Sequence, residues 1–204
     1  MTAVVPTRVV RGLPDVALVA GGALVLLLAA LPVDADRVGD AETAVFRVLN
    51  GVDVLPFAVI WPVMQLGNLL VVPAAALLAA ALHRWRLAGG LLLGGTAAYL
   101  LAKVVKGVVT RGRPDGLLAD VVIRGAEAHG RGFVSGHAAV VTVLLAVAWP
   151  QLGRWGRVVC SVLALGVCLS RVHVGAHLPL DVVGGVGLGL AVAGVVRLLF
   201  GRPA

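Results

Sequence analysis

The twelve residues Ser170-Arg171-Val172-His173-Val174-Gly175-Ala176-His177-Leu178-Pro179-Leu180-Asp181 set one arginine, two histidines and one aspartate inside an otherwise apolar half of the chain. Each such group is costly there unless it has a partner or a task. If a helix begins near Leu178, with Pro179 in its first turn where proline is tolerated, Asp181 lies about one turn beyond His177. A carboxylate in that place accepts a hydrogen bond from one imidazole nitrogen, fixes the tautomer and leaves the other nitrogen basic and outward. An imidazole so held can act as a nucleophile. An isolated His/Asp pair serves equally as a buried ion pair holding a helix end. Residues elsewhere in the chain must decide.

Two other stretches supply company. Lys103 and Lys106, the two lysines of the chain, are followed by Arg111, Arg113 and Pro114. Phe133-Val134-Ser135-Gly136-His137 stands immediately before a further apolar run. A serine, a glycine and a histidine at the mouth of a helix can offer a hydroxyl and backbone N–H groups to an anion, although such a tripeptide is often a simple cap.

The elements that position these groups are membrane helices. The 204 residues are 60% hydrophobic and 13% charged, with a mean hydropathy of +1.02, far from the average of soluble domains. The net charge of +7 is spread in short basic clusters between apolar runs, as membrane topology requires. No basic helix or aromatic-interleaved patch suggests nucleic acid as a partner. Cys160 and Cys168 share one apolar run without metal or disulfide spacing.

Six apolar runs are expected to span. Val16 to Val33 follows Arg8 and Arg11 and resembles a signal peptide, but no small-x-small site follows it, so it is read as a spanning helix. An acidic loop with Asp34, Asp36, Asp40 and Glu42 leads to residues 41–50, where Val45, Val48 and Leu49 predict a weakly amphipathic interfacial helix. Residues 54–82 carry Pro56, Pro62 and Pro73 and predict one tilted or kinked span. Residues 87–102, 138–153, 158–170 and 182–196 complete the set. The fifth run is short unless its flanking arginines snorkel, and the glycines 184, 185, 187 and 189 of the sixth permit close helix packing. Residues 115–132 read as a loop or short helical excursion.

With six crossings, the end of the third span, the start of the fourth, the end of the fifth and the start of the sixth share one membrane face. Lys106, Arg113, Ser135, His137, Arg171, His177 and Asp181 therefore converge there from three separate stretches. Lys and Arg number eight on the N-terminal side and nine on the site side. The purely basic loops at 83–86 and 154–157 lead to both termini being cytoplasmic and the site facing outward.

These residues carry a resemblance. Lys106 with six residues before Arg113-Pro114, then Ser135-Gly136-His137, then Ser170-Arg171, five residues, His177, three residues and Asp181 resemble the three signature motifs of the type 2 phosphatidic acid phosphatase, or lipid phosphate phosphatase, family. Val134 departs from the proline usual before the second motif. The resemblance implies an all-α polytopic fold of six transmembrane helices, one domain over residues 1–204, with the site at one membrane face.

It also implies a lipid mono- or diphosphate substrate in the bilayer: a polyprenyl diphosphate or phosphate, phosphatidic acid or phosphatidylglycerol phosphate. His177 would be the nucleophile forming a phosphohistidine, Asp181 its orienting carboxylate and His137 the general acid and base. Lys106, Arg113, Ser135, Gly136 and Arg171 would bind phosphate. No cofactor and no metal is implied, since three cations can neutralise a phosphoryl transition state, and the motifs hold no carboxylate cluster suited to a hard metal. Lys103 and Arg111 are expected to be loop or headgroup contacts. His173 is expected to line the site or pack; Asp115, Arg124, Glu127, His129 and Arg131 could shape substrate entry, and none of them is assigned a role. A phosphotransferase with the same phosphohistidine, or an anion or lipid transporter without catalysis, are the alternative readings. Compactness and an Ala, Val, Gly and Arg-rich composition suggest a bacterial plasma-membrane protein.

Overall fold

The computed structural model describes residues 9–53, 56–125 and 127–203; Arg8 and the first two residues of the second apolar run lie outside them. Nine helices are formed by these residues: α1 (Leu13–Ala30), α2 (Asp40–Asn50), α3 (Phe57–Gln65), α4 (Val71–Ala81), α5 (Trp85–Val108), α6 (Pro114–Leu117), α7 (Gly136–Ala148), α8 (Arg154–His173) and α9 (Pro179–Phe200). A 3₁₀ turn over Trp149–Gln151 prolongs α7. The non-helical elements are β1 (Val9–Val10) and β2 (Arg202–Pro203), a two-residue antiparallel pair that joins the two ends of the described chain.

The helix α9 is the centre of the bundle, with α1, α5 and α7 packed along it. Its glycines make this possible. A Cβ added at Gly187 would lie 2.5 Å from the Leu26 nitrogen, and one added at Gly22 of α1 would lie 2.3 Å from the Ala191 nitrogen, so α1 and α9 meet backbone to backbone. On another face, Gly185 lies against the Ser135 carbonyl and Gly184 against Phe133 and Val134. The glycine-rich run read from the sequence thus seats both the first helix and the loop before α7.

Large apolar side chains also point outward, among them Leu24, Leu27, Leu28, Leu100, Val162 and Leu165. In water such a surface would be anomalous; against lipid tails it is the expected exterior. Four helices, α1, α5, α8 and α9, are long and apolar enough to cross a membrane. The fifth run gains its length from its polar ends. Residues 154–157 form the first turn of α8 and His173 ends it, with Arg154 and Arg157 lying 5.7 and 5.4 Å from the Trp155 and Trp149 rings.

Two expectations gain detail. The second apolar run is built of two helices, α3 and α4, separated at residues 66–70, where Asn68 Nδ2 donates to Gln65 Oε1 and Asn68 Oδ1 accepts from the Leu70 N–H. The helix α2 forms, but it turns Glu42, Phe46 and Asn50 inward and leaves Val45 and Val48 exposed. It packs by a face of mixed polarity on α8 and α9.

Candidate active site

The turn between α8 and α9 presents His177. Gly175, at φ +77°, takes the left-handed conformation that ends α8, and the Ala176 and His177 N–H groups both donate to the Arg171 carbonyl. This is a glycine-centred helix stop. Leu178 then caps α9, Pro179 occupies its first position, and Asp181 Oδ2 accepts from the Leu178 N–H at 3.0 Å. The carboxylate that starts the helix also faces His177, with Nδ1 and Oδ2 3.3 Å apart. Asp181 is fully buried and His177 nearly so.

The Nε2 side of His177 meets a cation. Arg113 Nη1 lies 3.0 Å from Nε2 and also donates to the Ala176 carbonyl. A guanidinium can only donate, so Nε2 is the unprotonated nitrogen and Nδ1 carries the proton towards Asp181. Burial, followed by the charges of Arg113, Lys106, Arg171 and His137, holds His177 well below the ordinary imidazole range, keeping it neutral.

Each remaining motif residue has a definite place. Lys106, in the last turn of α5, donates to the Arg131 and Gly132 carbonyls at 2.9 and 2.7 Å, and Arg131 returns two bonds to the Lys106 and Gly107 carbonyls. Arg113 reaches the Gly130 and His129 carbonyls, and burial lowers its affinity for its proton. Arg171 is buried, with Nη1 2.7 Å from Met64 Sδ and Nε without a hydrogen bond among the described residues. Ser135 caps α7, its Oγ accepting from the Ala138 N–H at 3.4 Å, while its own N–H donates to the Asp181 carbonyl. Gly136 opens α7 with empty space where a Cβ would stand, and His137 follows it. Val134 is fully buried against Gly184.

Arg111 overturns its expectation. It is not a headgroup contact: it is 1% exposed and lies between two carboxylates, with Nη1 3.2 Å from Asp181 Oδ1 and Nη2 2.5 Å from Glu42 Oε2. Burial works against its charge, yet the bonds to Glu42 and the charge of Asp181 outweigh it and raise its pKa. Glu42 Oε1 also accepts from the Leu180 N–H. Both residues were missed from the sequence; the available signal was a carboxylate in the first turn of a helix whose exposed face is apolar. His173 anchors rather than lines, with Nδ1 against the Leu49 carbonyl. Asn50 and Arg124 bind the His173 carbonyl and tie α2 and residue 122 to α8. Lys103 stands exposed on α5, its Nζ over the Tyr99 ring at 4.6 Å.

The match to known proteins follows this geometry. Residues 85–203, from the start of α5 to the end of β2, match the PAP2 superfamily. The chain belongs to the PAP2 superfamily. Among solved structures, it is similar to LpxE of Aquifex aeolicus, with 22% identity over 81% of this chain and 99% of that one and a TM-score of 0.73. It is also similar to a PAP2 type phosphatidylglycerolphosphate phosphatase from Bacillus subtilis, with 23% identity over 90% of this chain and 94% of that one and a TM-score of 0.67. Among curated proteins none matches. The PAP2 match begins after α4, so Glu42 stands outside it while Arg111 lies within.

Gly132 gives a direct test of how tightly this PAP2 site is built. A Cβ there would stand 2.7 Å from the Gly112 carbonyl oxygen and 2.9 Å from Asp181 Oδ2. Gly132→Ala is expected to push the Asp181 carboxylate off His177 and to lower phosphate release about tenfold to a hundredfold, the kinetic equivalent of a modest overpacking cost. Gly116→Ala, where nothing lies within 4 Å, is the matched control and should leave the rate unchanged.

Proposed function

We infer that this PAP2 protein is an integral membrane phosphatase that removes a terminal phosphate from a lipid mono- or diphosphate through a phosphohistidine, without a metal. The observation that carries the reading is His177 held neutral, Nδ1 on Asp181 and Nε2 turned to Arg113. Arg113 Nη1 meets the nucleophilic nitrogen; a phosphate dianion gives that guanidinium a better acceptor and frees Nε2 to attack.

In the proposed first step Nε2 bonds to phosphorus in line as the phosphorus–oxygen bond to the lipid breaks. The leaving group, the lipid alcohol from a monophosphate or the lipid monophosphate from a diphosphate, departs with a proton from His137, whose imidazolium form the bound dianion favours. In the second step His137 takes a proton from water, the oxygen attacks phosphorus, the nitrogen–phosphorus bond breaks and inorganic phosphate departs. Lys106, Arg113 and Arg171 neutralise the equatorial oxygens, and the Ser135 hydroxyl and Gly136 N–H add donors, as phosphoryl transfer requires.

A membrane lipid is the substrate class this arrangement favours. The helix α7 with its 3₁₀ turn covers residues 136–151, about 24 Å of rise, against a hydrocarbon core of about 30 Å. A site at the start of such a short span suits a phosphate whose tail stays among lipid chains. The reading has six passes, α3 and α4 sharing one, with both termini cytoplasmic and the site outward, on the plasma membrane of a bacterium.

The test is phosphate release by the purified protein in EDTA from phosphatidic acid, phosphatidylglycerol phosphate and a polyprenyl diphosphate. Release from at least one lipid, undiminished by the chelator, is expected. No release from any of them, or release that returns only with added divalent metal, would sink the assignment. Label passed to a lipid acceptor in place of free phosphate would make the protein a transferase on the same chemistry.

A further inference from the structure

A second charged site stands at the far end of the bundle from His177. The start of α5, the 3₁₀ turn after α7 and the end of α9 enclose a cavity of about 470 Å³. Arg84, Arg86, Arg197 and Arg202 line it. The carboxylate that meets them is Asp15, fully buried, 3.4 Å from both Arg197 and Arg202. Arg84 and Arg86 have neutral partners, the Gln151 side chain and the Phe200 carbonyl. Four guanidiniums therefore face one cavity with one carboxylate among them, an excess of positive charge. The active-site chemistry uses none of these groups.

The rest of the wall is apolar. Leu87, Gly90, Val147, Val196 and Phe200 also line it, and the exposed Trp85 stands at the mouth, as an indole does at the level of lipid headgroups. Free inorganic phosphate would satisfy the charge and leave that wall without a partner. A ligand with an anionic phosphodiester and an attached apolar part satisfies both.

We propose that this cavity holds the headgroup of an anionic phospholipid, in the leaflet opposite the one that faces His177. Basic pockets between helices at a membrane surface recognise such headgroups. The guanidiniums take the phosphodiester, and the start of the acyl chains lies over Leu87, Val147 and Val196. The lipid so held is no substrate, since it carries no terminal phosphate and lies at the wrong face. It bridges the start of α5 and the end of α9, whose arginines carry like charges, and so stabilises the bundle.

The experiment uses the full chain in an uncharged detergent and counts retained lipid by native mass spectrometry, with thermal unfolding as a second readout. The probes are dioleoylphosphatidylglycerol, dioleoylphosphatidylcholine and inorganic phosphate. Wild type should retain one phosphatidylglycerol preferentially over phosphatidylcholine and unfold at a higher temperature with it. Inorganic phosphate alone should give no such rise.

Arg84→Glu should weaken phosphatidylglycerol retention about tenfold, and the milder Arg84→Gln should do the same to a smaller degree. Arg154→Glu makes the same charge change at the same end of the bundle but outside the cavity, with its guanidinium over Trp155, and should leave retention as in wild type. Equal weakening by Arg84→Glu and Arg154→Glu would mean a diffuse surface field and overturn the site. So would equal retention of phosphatidylcholine, or displacement of the lipid by inorganic phosphate.

Discussion

His177→Ala is expected to abolish phosphate release, a loss on the order of 10⁴-fold or more, as when a covalent nucleophile is removed. The side chain is buried, its Nδ1 is committed to Asp181 and its Nε2 lies 3.0 Å from Arg113 Nη1, so no neighbouring group can take its place. Steady-state release measures the loss; alkaline quenching during turnover with labelled substrate tests its cause, since a nitrogen–phosphorus bond survives base better than acid. Wild type should carry label on His177, and His137→Ala, which lacks the acid of the first step and the base of the second, should slow both the appearance and the loss of that label. Asp181→Asn should come close to His177→Ala. An asparagine amide can donate to Nδ1 and stabilise the wrong tautomer, which would put a proton on Nε2 facing the Arg113 donor. A His177→Ala protein that releases phosphate at the wild-type rate would remove His177 from the mechanism.

What the sequence made legible was local. His177 and Asp181 stand four apart, and the turn, the proline and the helix start that join them are all encoded within a dozen residues. The grouping of Lys106, Ser135, Arg171 and His177 at one end follows from counting crossings. Long-range pairing had no such signal. Arg111 and Glu42 are 69 residues apart, and an arginine two residues from a motif arginine looks like one more basic group at a membrane surface. Along α2 the apolar Val45 and Val48 face outward, as an interfacial helix would have them, while the inward turn of Glu42 and Asn50 rests on partners distant in sequence. Between α3 and α4 the prolines drew attention, yet Pro62 lies inside α3 and the chain breaks beyond it, where Gln65 and Asn68 supply the turn.

Arg111→Leu is expected to destabilise the protein by about 3–5 kcal/mol, the cost of leaving buried carboxylates without their cation. Asp181 is fully buried and the Glu42 side chain 8% exposed, so neither finds water in exchange. The kinetic consequence separates a positioning role from a substrate contact. Arg111 makes its bonds to Glu42 and Asp181 and is 1% exposed, so it has no surface to offer a phosphate. Its loss should lower kcat through Asp181 and His177 while KM stays near wild type, whereas removing Arg171 should raise KM. Arg111→Lys keeps the charge but cannot span two carboxylates with a planar fork, and should fall between wild type and Arg111→Leu. If Arg111→Leu does not fold, Glu42→Gln carries the same test: it leaves Arg111 and Asp181 in place, removes one charge, and should lower the unfolding temperature and kcat together. Thermal unfolding in detergent and the split between kcat and KM are the measurements. A rise in KM at unchanged kcat in Arg111→Lys or Glu42→Gln would return Arg111 to the substrate and leave Asp181 held by its helix cap alone.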